Sequence, residues 1–402
     1  MPHPPTTEKL ESGSEAFKRA NQAMFVGGFA TFAMLYATQP LLPLLSSEFG
    51  IGPASASLSV SAGTAALALM LIPASVLADR SGREKVMKVS LALAALIALA
   101  CATVNDFSQL LILRALLGAS LAGLPAAAMA YIGEEVSPRA QGKAMGLYIA
   151  GNALGGMSGR VLSALLTDIG SWRIALLMLG VLGIVSAAVF WYRLPPSRHF
   201  QARAASISRI IDDARHISRD AGLPWLFLTA LLAMGVFIGV YNYLGFRLLE
   251  APFNLSQTAI GAIFLLYVVG SWASAFAGQL TDRFGRRKVQ WVVVMIMISG
   301  LLLTLSDALV LLIAGVAIFT FGFFATHSIS SGWVARRGQE RRGLATAIYL
   351  TFYYLGASLI GSLSGFAWSL GRWNGIAAVL GLCLLLLLAI VLRLKKLPAD
   401  PA

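Results

Sequence analysis

The sequence predicts an all-α polytopic membrane protein with 12 transmembrane helices in two parallel six-helix halves. Three observations predict it. Of its 402 residues 57% are hydrophobic and only 12% charged, a balance too apolar for a water-soluble domain. Apolar runs long enough to cross a hydrocarbon layer of about 30 Å alternate with short charged segments along nearly the whole chain. The second half of the sequence also repeats the first.

The expected spans are 20–45, 55–78, 86–104, 107–131, 141–166, 172–193, 223–247, 257–280, 289–306, 308–333, 343–369 and 374–393. With the N-terminus inside, 26 of the 31 Lys and Arg lie on the inner side. Only Arg173, Arg247 and Arg372 lie outside, and Arg114 and Arg160 fall within spans. This bias predicts that both termini are cytoplasmic, in a bacterial inner membrane. It also accounts for the formal charge of +13 without nucleic acid as a partner. Residues 1–19 are polar and read as a disordered cytoplasmic tail, without the apolar core of a signal peptide, and 394–402 read as a second tail. Cys101 and Cys383 sit in apolar runs with no metal-ligand spacing, so neither a disulfide, a metal nor a cofactor is expected.

A shift of 201 residues aligns Gly142 with Gly343, Ala144 with Ala345, Tyr148 with Tyr349, Gly155 with Gly356, Gly170 with Gly371 and Trp172 with Trp373. The halves are therefore 20–193 and 223–393. Between them, 194–222 begins at Pro195-Pro196 and then places Ile207, Ile210, Ile211, Ala214 and Ile217 at helical spacing, which predicts an amphipathic helix on the cytoplasmic face.

In chain order, Tyr36 and Gln39 precede a Pro40 break in the first span and are candidates for a central cavity. Asp79-Arg80-Ser81-Gly82-Arg83 follows the second span, and Asp282-Arg283-Phe284-Gly285-Arg286, preceded by Gly278, follows the eighth. In each, Gly permits a tight turn and Asp can bond neighbouring Arg groups. Arg114 in the fourth span is costly to bury, by about 2.5 kcal/mol or more, so it should face a cavity or a partner. At that span's inner end, Glu134 and Glu135 are candidate proton acceptors.

The fifth span places Asn152, Gly155, Gly156, Gly159 and Arg160 on one face, one turn beyond Gly151, and Arg160 would suit an anionic substrate or a carboxylate partner. In the tenth, Phe319, Phe323, Thr326, His327, Ser330 and Ser331 recur at helical spacing. His327 is the only His within a span, and every Asp and Glu falls in a loop or near a helix end. His327 is therefore the leading proton site, with a hydrogen bond across helices as the competing reading. Tyr241 and Asn242 in the seventh span, with Tyr349, Tyr353 and Tyr354 in the eleventh, complete the cavity candidates. Trp172, Trp191, Trp225, Trp333 and Trp373 read as interfacial belt residues.

The loop Gly278 to Lys288 resembles in full the signature loop of the major facilitator superfamily, and Ser75 to Lys85 resembles it with Ser in place of the first Gly. In that family the pattern latches the cytoplasmic gate. Arg114-Ala115-Leu116-Leu117-Gly118 resembles a second family pattern tied to proton coupling, the alternative being a structural tie to carbonyls or to neighbouring Tyr and Gln. The Gly-rich stretch from Gly151 to Arg160 resembles the antiporter motif of drug:proton exporters, without its usual Gly-Pro pair. The resemblance implies a monomeric, non-enzymatic secondary transporter that exports small organic compounds by proton-coupled antiport and alternating access. Its partners would be a small-molecule substrate, protons and the lipid bilayer. An uptake symporter or exchanger of a small organic anion is the alternative, favoured if Arg160 and Arg114 contact substrate. No P-loop is present to use ATP.

Overall fold

In the computed structural model, residues 9–202 and 207–397 are described. Parts of the expected tails (1–8 and 398–402) and of the linker (203–206) lie outside the described residues. Without water, a spanning backbone must satisfy its own N–H and C=O groups, and the described chain does so in helices. The spans are Glu15–Glu48, Pro53–Ser81, Arg83–Thr103, Phe107–Glu135, Pro138–Ile169, Trp172–Arg193, Leu223–Leu249, Gln257–Phe284, Arg286–Leu303, Leu309–Arg337, Gln339–Leu363 and Phe366–Lys395. Ten are long and apolar enough to cross a membrane. The fifth, rich in Gly and polar residues, and the ninth, which opens on Arg286, Arg287 and Lys288, are helices of 32 and 18 residues outside that group.

Local chemistry sets the breaks. Pro40 interrupts the first span at a short 3₁₀ turn, Gln39–Leu41, because proline has no N–H to give the helix. Ser14, Asp106, Ser171 and Ser256 accept backbone N–H groups at helix starts. Gly82 and Gly285 turn the two signature loops at φ of +102° and +82°, where a side chain would be strained. The twelfth span carries a break at Gly371 and Arg372.

One expectation fails at the N-terminus. The segment before the first span is not a free tail: Leu10 N donates to the Glu135 carbonyl at 2.8 Å, its own carbonyl accepts from Ser137, and the helix begins at Glu15. The linker forms its helix at Ile207–Ser218, but Ile217 is buried in the main core rather than laid on a surface. The linker is tied to the first half where Tyr131 Oη donates to the Pro195 carbonyl and His199 Nδ1 meets Glu135 Oε2 at 2.9 Å. It is tied to the second where Arg337 meets Asp220 at 2.5 Å and Arg341 meets Asp213 at 2.7 Å. Burial alone would raise the Asp220 carboxyl, but Arg337 and the N–H groups of Leu223 and Gly222 hold it below the usual carboxylate range. That tie is therefore present above about pH 4 and is lost as pH falls through the lowered value. Three tryptophans expected in interfacial belts, Trp172, Trp333 and Trp373, are buried instead, whereas Trp191 is exposed.

Lipid gives apolar helices no hydrophobic reason to associate, so close packing and hydrogen bonds must hold them. The fifth span lies on the first with no side chain between. A Cβ on Gly151, Gly155 or Gly159 would come within 2.4 Å of Phe25 O, 2.0 Å of Phe29 O and 2.5 Å of Ala33 Cα. The repeat reproduces this seam: a Cβ on Gly356 in the eleventh span would meet Leu231 O of the seventh at 2.0 Å. In the fourth span, Gly118 lets Arg114 press against the second. The buried Arg114 guanidinium donates to the Ser59 carbonyl at 2.8 Å, the Met34 carbonyl at 2.8 Å and the Leu35 carbonyl, pinning three helices together.

This packing sets the expected stability of three variants. Gly155→Ala must push the first and fifth spans apart, at a cost of about 1–3 kcal/mol. Gly142→Ala, where a Cβ meets nothing within 4 Å, should be neutral or slightly stabilising. Arg114→Leu takes the guanidinium donor from three buried carbonyls, with Thr38 Oγ1 left on the Ser59 carbonyl at 3.3 Å, at about 1–3 kcal/mol for each donor lost without replacement, and should lower the melting temperature more than any single cavity substitution. Thermal unfolding of the purified protein in detergent measures all three.

Candidate functional site

The two halves meet most closely at the end away from the termini, here called the far end; the end holding the termini, linker and signature loops is the basic end. At the far end Gln257 Nε2 donates to the Pro40 carbonyl, and Thr258 N donates to Asp168 Oδ2 at 2.7 Å. Deeper, Gln39 Nε2 donates to Asn242 Oδ1 at 2.8 Å, and Ser61 pairs with Ser362 at 2.5 Å and Thr64 with Ser358 at 2.8 Å. Toward the basic end the halves separate: Gly142 and Gly146 of the fifth span, Gly278 of the eighth and Gly343 of the eleventh all face open space. Gly278 therefore makes no close helix contact in this conformation.

Between the halves lies a cavity of 360 Å³, a size suited to a small organic molecule. Phe32, Phe237, Phe323, Phe324, Met157 and Met234 give it an apolar wall, and Ser271, Ser274, Asn152, His327, Tyr267 and Tyr353 supply polar groups. No Asp or Glu lines it.

Arg160 carries the cavity's fixed charge. It is 2% exposed, and no carboxylate stands within ion-pair distance among the described residues. Its Nε donates to Gln39 Oε1 at 2.5 Å and its Nη1 to the Gly156 carbonyl at 2.5 Å. The guanidinium lies 3.9 Å from the Tyr36 ring centre, 5.0 Å from Tyr267 and 5.3 Å from Phe264. These ring faces stabilise a cation without neutralising it. The Tyr267 hydroxyl and Asn152 Oδ1, both buried on the same wall, have no hydrogen-bond partner. A buried cation without a carboxylate partner, beside the free Tyr267 O–H donor, can bind an anion in a low-dielectric site, whereas Asn152 Oδ1 is an acceptor turned toward Gly28 and adds nothing to it.

His327 stands on the opposite wall, half-buried, with Nδ1 3.0 Å from the Tyr349 hydroxyl and its ring 4.7 Å from that of Tyr353. Its neighbour Phe323 stacks on Phe237 at 3.8 Å.

The fold divides the residues singled out in the sequence. Tyr36, Asn152, Arg160, Phe323, His327 and Tyr353 line the cavity together. Gln39, Tyr241, Asn242 and Tyr349 form a layer behind it: Tyr241 bonds Thr320 at 2.8 Å, and Asn242 reaches the Gly361 carbonyl at 3.3 Å. The shared face of the fifth span splits, since Gly151, Gly155 and Gly159 seat on the first span while Asn152, Gly156 and Arg160 border the cavity. The tenth span splits likewise, because Ser330 turns to Gln290 of the ninth at 2.8 Å and Thr326 and Phe319 are fully buried.

Arg114 lies outside the cavity on its three carbonyls. Glu134 and Glu135 stand at the basic end: Arg83 binds Glu134 at 2.7 and 2.8 Å and Asp79 at 2.8 Å, and Glu135 holds His199. Arg80 is exposed beside this cluster. In the second half, Gly278, Asp282, Gly285 and Arg286 line a polar pocket with Trp333 and Arg336, and Arg283 covers the Phe284 ring.

Sequence reasoning missed Tyr267 and Phe237. Tyr267 had the same signal as Tyr241, a tyrosine in the middle of a span; Phe237 had none, since one Phe among many apolar residues does not show which face it takes.

The family model described as Major Facilitator Superfamily matches residues 24–250 and 245–402. The chain is 42% identical to the inner membrane transport protein YnfM of Escherichia coli strain K12 over 387 residues, covering 96% of this chain and 93% of that one. It is 38% identical to the MFS-type transporter YybF of Bacillus subtilis strain 168, covering 94% of each. Among solved structures, it is similar to a bacterial homologue of the human lysosomal transporter Spinster in an inward-facing, unoccupied conformation, with a TM-score of 0.79 at 16% identity, covering 96% of this chain and 98% of that one. With the helical pairs, the repeated seam and the central cavity all in place, the chain belongs to the major facilitator superfamily, as a multi-pass secondary transporter of small molecules.

Proposed function

We propose that the chain is a monomeric, proton-linked carrier of small organic anions, working by alternating access between the halves 20–193 and 223–393. It sits in the bacterial inner membrane with the basic end in the cytoplasm. The observation that carries this reading is Arg160: a buried cation on the cavity wall, boxed by aromatic rings and lacking a carboxylate partner. Such a charge is expensive in a membrane and is retained where an anion completes it. The orientation rests on the placement of 26 of the 31 basic residues at one end.

The electrostatics of the cavity favour symport. His327 is the titratable side chain opposite Arg160, and no carboxylate shares the lining. A proton on His327 adds a second positive charge, so proton and anion bind cooperatively, which is the requirement for moving them together. Antiport requires competition between them. The antiport reading keeps one specific support, the Gly-rich fifth span, but those glycines also serve a packing seam.

Reconstituted protein with an alkaline lumen should accumulate 4-hydroxybenzoate, with protein-free vesicles correcting for passive entry of the neutral acid. Arg160→Gln removes one or more charge-assisted bonds of about 1.5–3 kcal/mol each and should weaken binding roughly 10- to 100-fold. His327→Ala should still exchange anion for anion but no longer respond to the pH gradient. If loaded vesicles instead expel the anion as protons enter, antiport export replaces symport. If only neutral or cationic compounds move, the anion reading fails.

A further inference from the structure

The cation that charges the cavity is also bonded to a bridge between the halves near the far end. Arg160 Nε donates to Gln39 Oε1, and the amide nitrogen of the same side chain donates to Asn242 Oδ1 in the other half. Asn242 is fixed in turn by the Gly361 carbonyl. An amide has one donor end and one acceptor end, and a guanidinium can only donate. Arg160 therefore fixes which way the Gln39 amide points. Turned over, it would set its NH2 against the guanidinium and its oxygen against Asn242 Oδ1, both repulsive. Gln39 and Asn242 are each 1% exposed, so water is poorly placed to replace either bond.

Gln39 owes this position to Pro40, which breaks the first span and lets residue 39 reach toward both the fifth and the seventh. The other deep bridges, Ser61 to Ser362 and Thr64 to Ser358, are pairs of neutral hydroxyls with no bond to a cavity residue. Only the Gln39 bridge depends directly on the cavity's charge.

We propose that Gln39 is a positioning residue that reports the occupancy of Arg160. A carboxylate bound side-on accepts from Nε–H and Nη2–H of the guanidinium, forms stronger, charge-assisted bonds than an amide does, and displaces Gln39 Oε1 from Nε. Gln39 Oε1 then loses its partner, the amide loses its fixed orientation, and the bond to Asn242 that helps close the far end is released. In the empty carrier this bond biases the far end toward closure without forbidding the unloaded opening that symport needs; in the loaded carrier the bias is removed. The ligand thus acts through its unequal affinity for the two states, as any conformational shift requires. The identity of the trigger rests on the organic-anion reading above; the bond chain itself does not.

The test uses the full chain in nanodiscs, with Cys101 and Cys383 replaced by Ser and spin labels at Ile169→Cys and Leu370→Cys. Those two positions are exposed at the far end, one in each half. Gln39→Ala, Asn242→Ala and Arg160→Gln should each shift the inter-label distance to longer values without ligand. Adding 4-hydroxybenzoate should shift the otherwise unaltered protein in the same direction and leave Gln39→Ala where it is. Ser61→Ala, which removes a bridge not linked to Arg160, should keep its response to ligand, as a merely structural loss of one bridge would not separate the two variants. Alanine variants that keep the parent distance, or a Gln39→Ala protein that still widens with ligand, would overturn the relay. Variants that widen while 4-hydroxybenzoate leaves the parent unmoved would support the Arg160-held latch and refute the organic-anion reading instead.

Discussion

The contact on which the rest depends is the bare seam between the first and fifth spans. Three glycines at four-residue spacing bring two backbones together where no Cβ would fit, and this fixes the rotation of the fifth span about its own axis. One turn past Gly156, that rotation puts Arg160 over the Tyr36 ring and within reach of Gln39. A side chain at Gly155 would move the cation, and with it the cavity's charge and the far-end bridge. The matching seam at Gly356 sets the eleventh span against the seventh and so positions Tyr349 and Tyr353 beside His327. Packing in the lipid phase and chemistry in the cavity are thus decided by the same few small residues.

The two intramembrane arginines show how environment assigns different work to one side chain. Arg114 donates to three backbone carbonyls from the first and second spans, and its charge is spread over dipoles that belong to the fold. It has no place in the cavity and behaves as a rivet. Arg160 has one amide, one carbonyl and three ring faces, which orient it without matching its charge. The same residue type at similar depth is complete in one case and incomplete in the other.

Much of the architecture was legible because membrane crossing imposes a strong pattern: length, apolarity and the bias of Lys and Arg located all twelve helices. The offset repeat aligned Gly155 with Gly356, and the structure seats both in matching seams, while the signature loops turned at Gly82 and Gly285 as their glycines required. The cavity was legible only in part. Helical spacing groups residues on a face about 100° wide, and in a bundle such a face meets two neighbours. Gly155 and Gly156 are adjacent in sequence yet border different things, and so are Thr326 and His327. The buried tryptophans and the ordered Leu10 escaped for a related reason: proximity to a helix end does not reveal whether that end meets lipid or another segment of protein.

The pattern of closure is asymmetric in a way that bears on the signature loops. At the far end the halves are joined by hydrogen bonds between buried polar side chains, which lose much if broken without replacement. At the basic end, Arg83 is held by Asp79 and Glu134 of its own half, and the linker bonds each half separately through His199 and Asp220. Charges partnered within one half stabilise that half as a rigid body and leave the mouth free to move. For the basic end to close, such charges need only exchange one carboxylate or carbonyl for another, at small net cost. For the far end to open, buried bonds must be given up, and the proposed displacement of Gln39 acts on one of them.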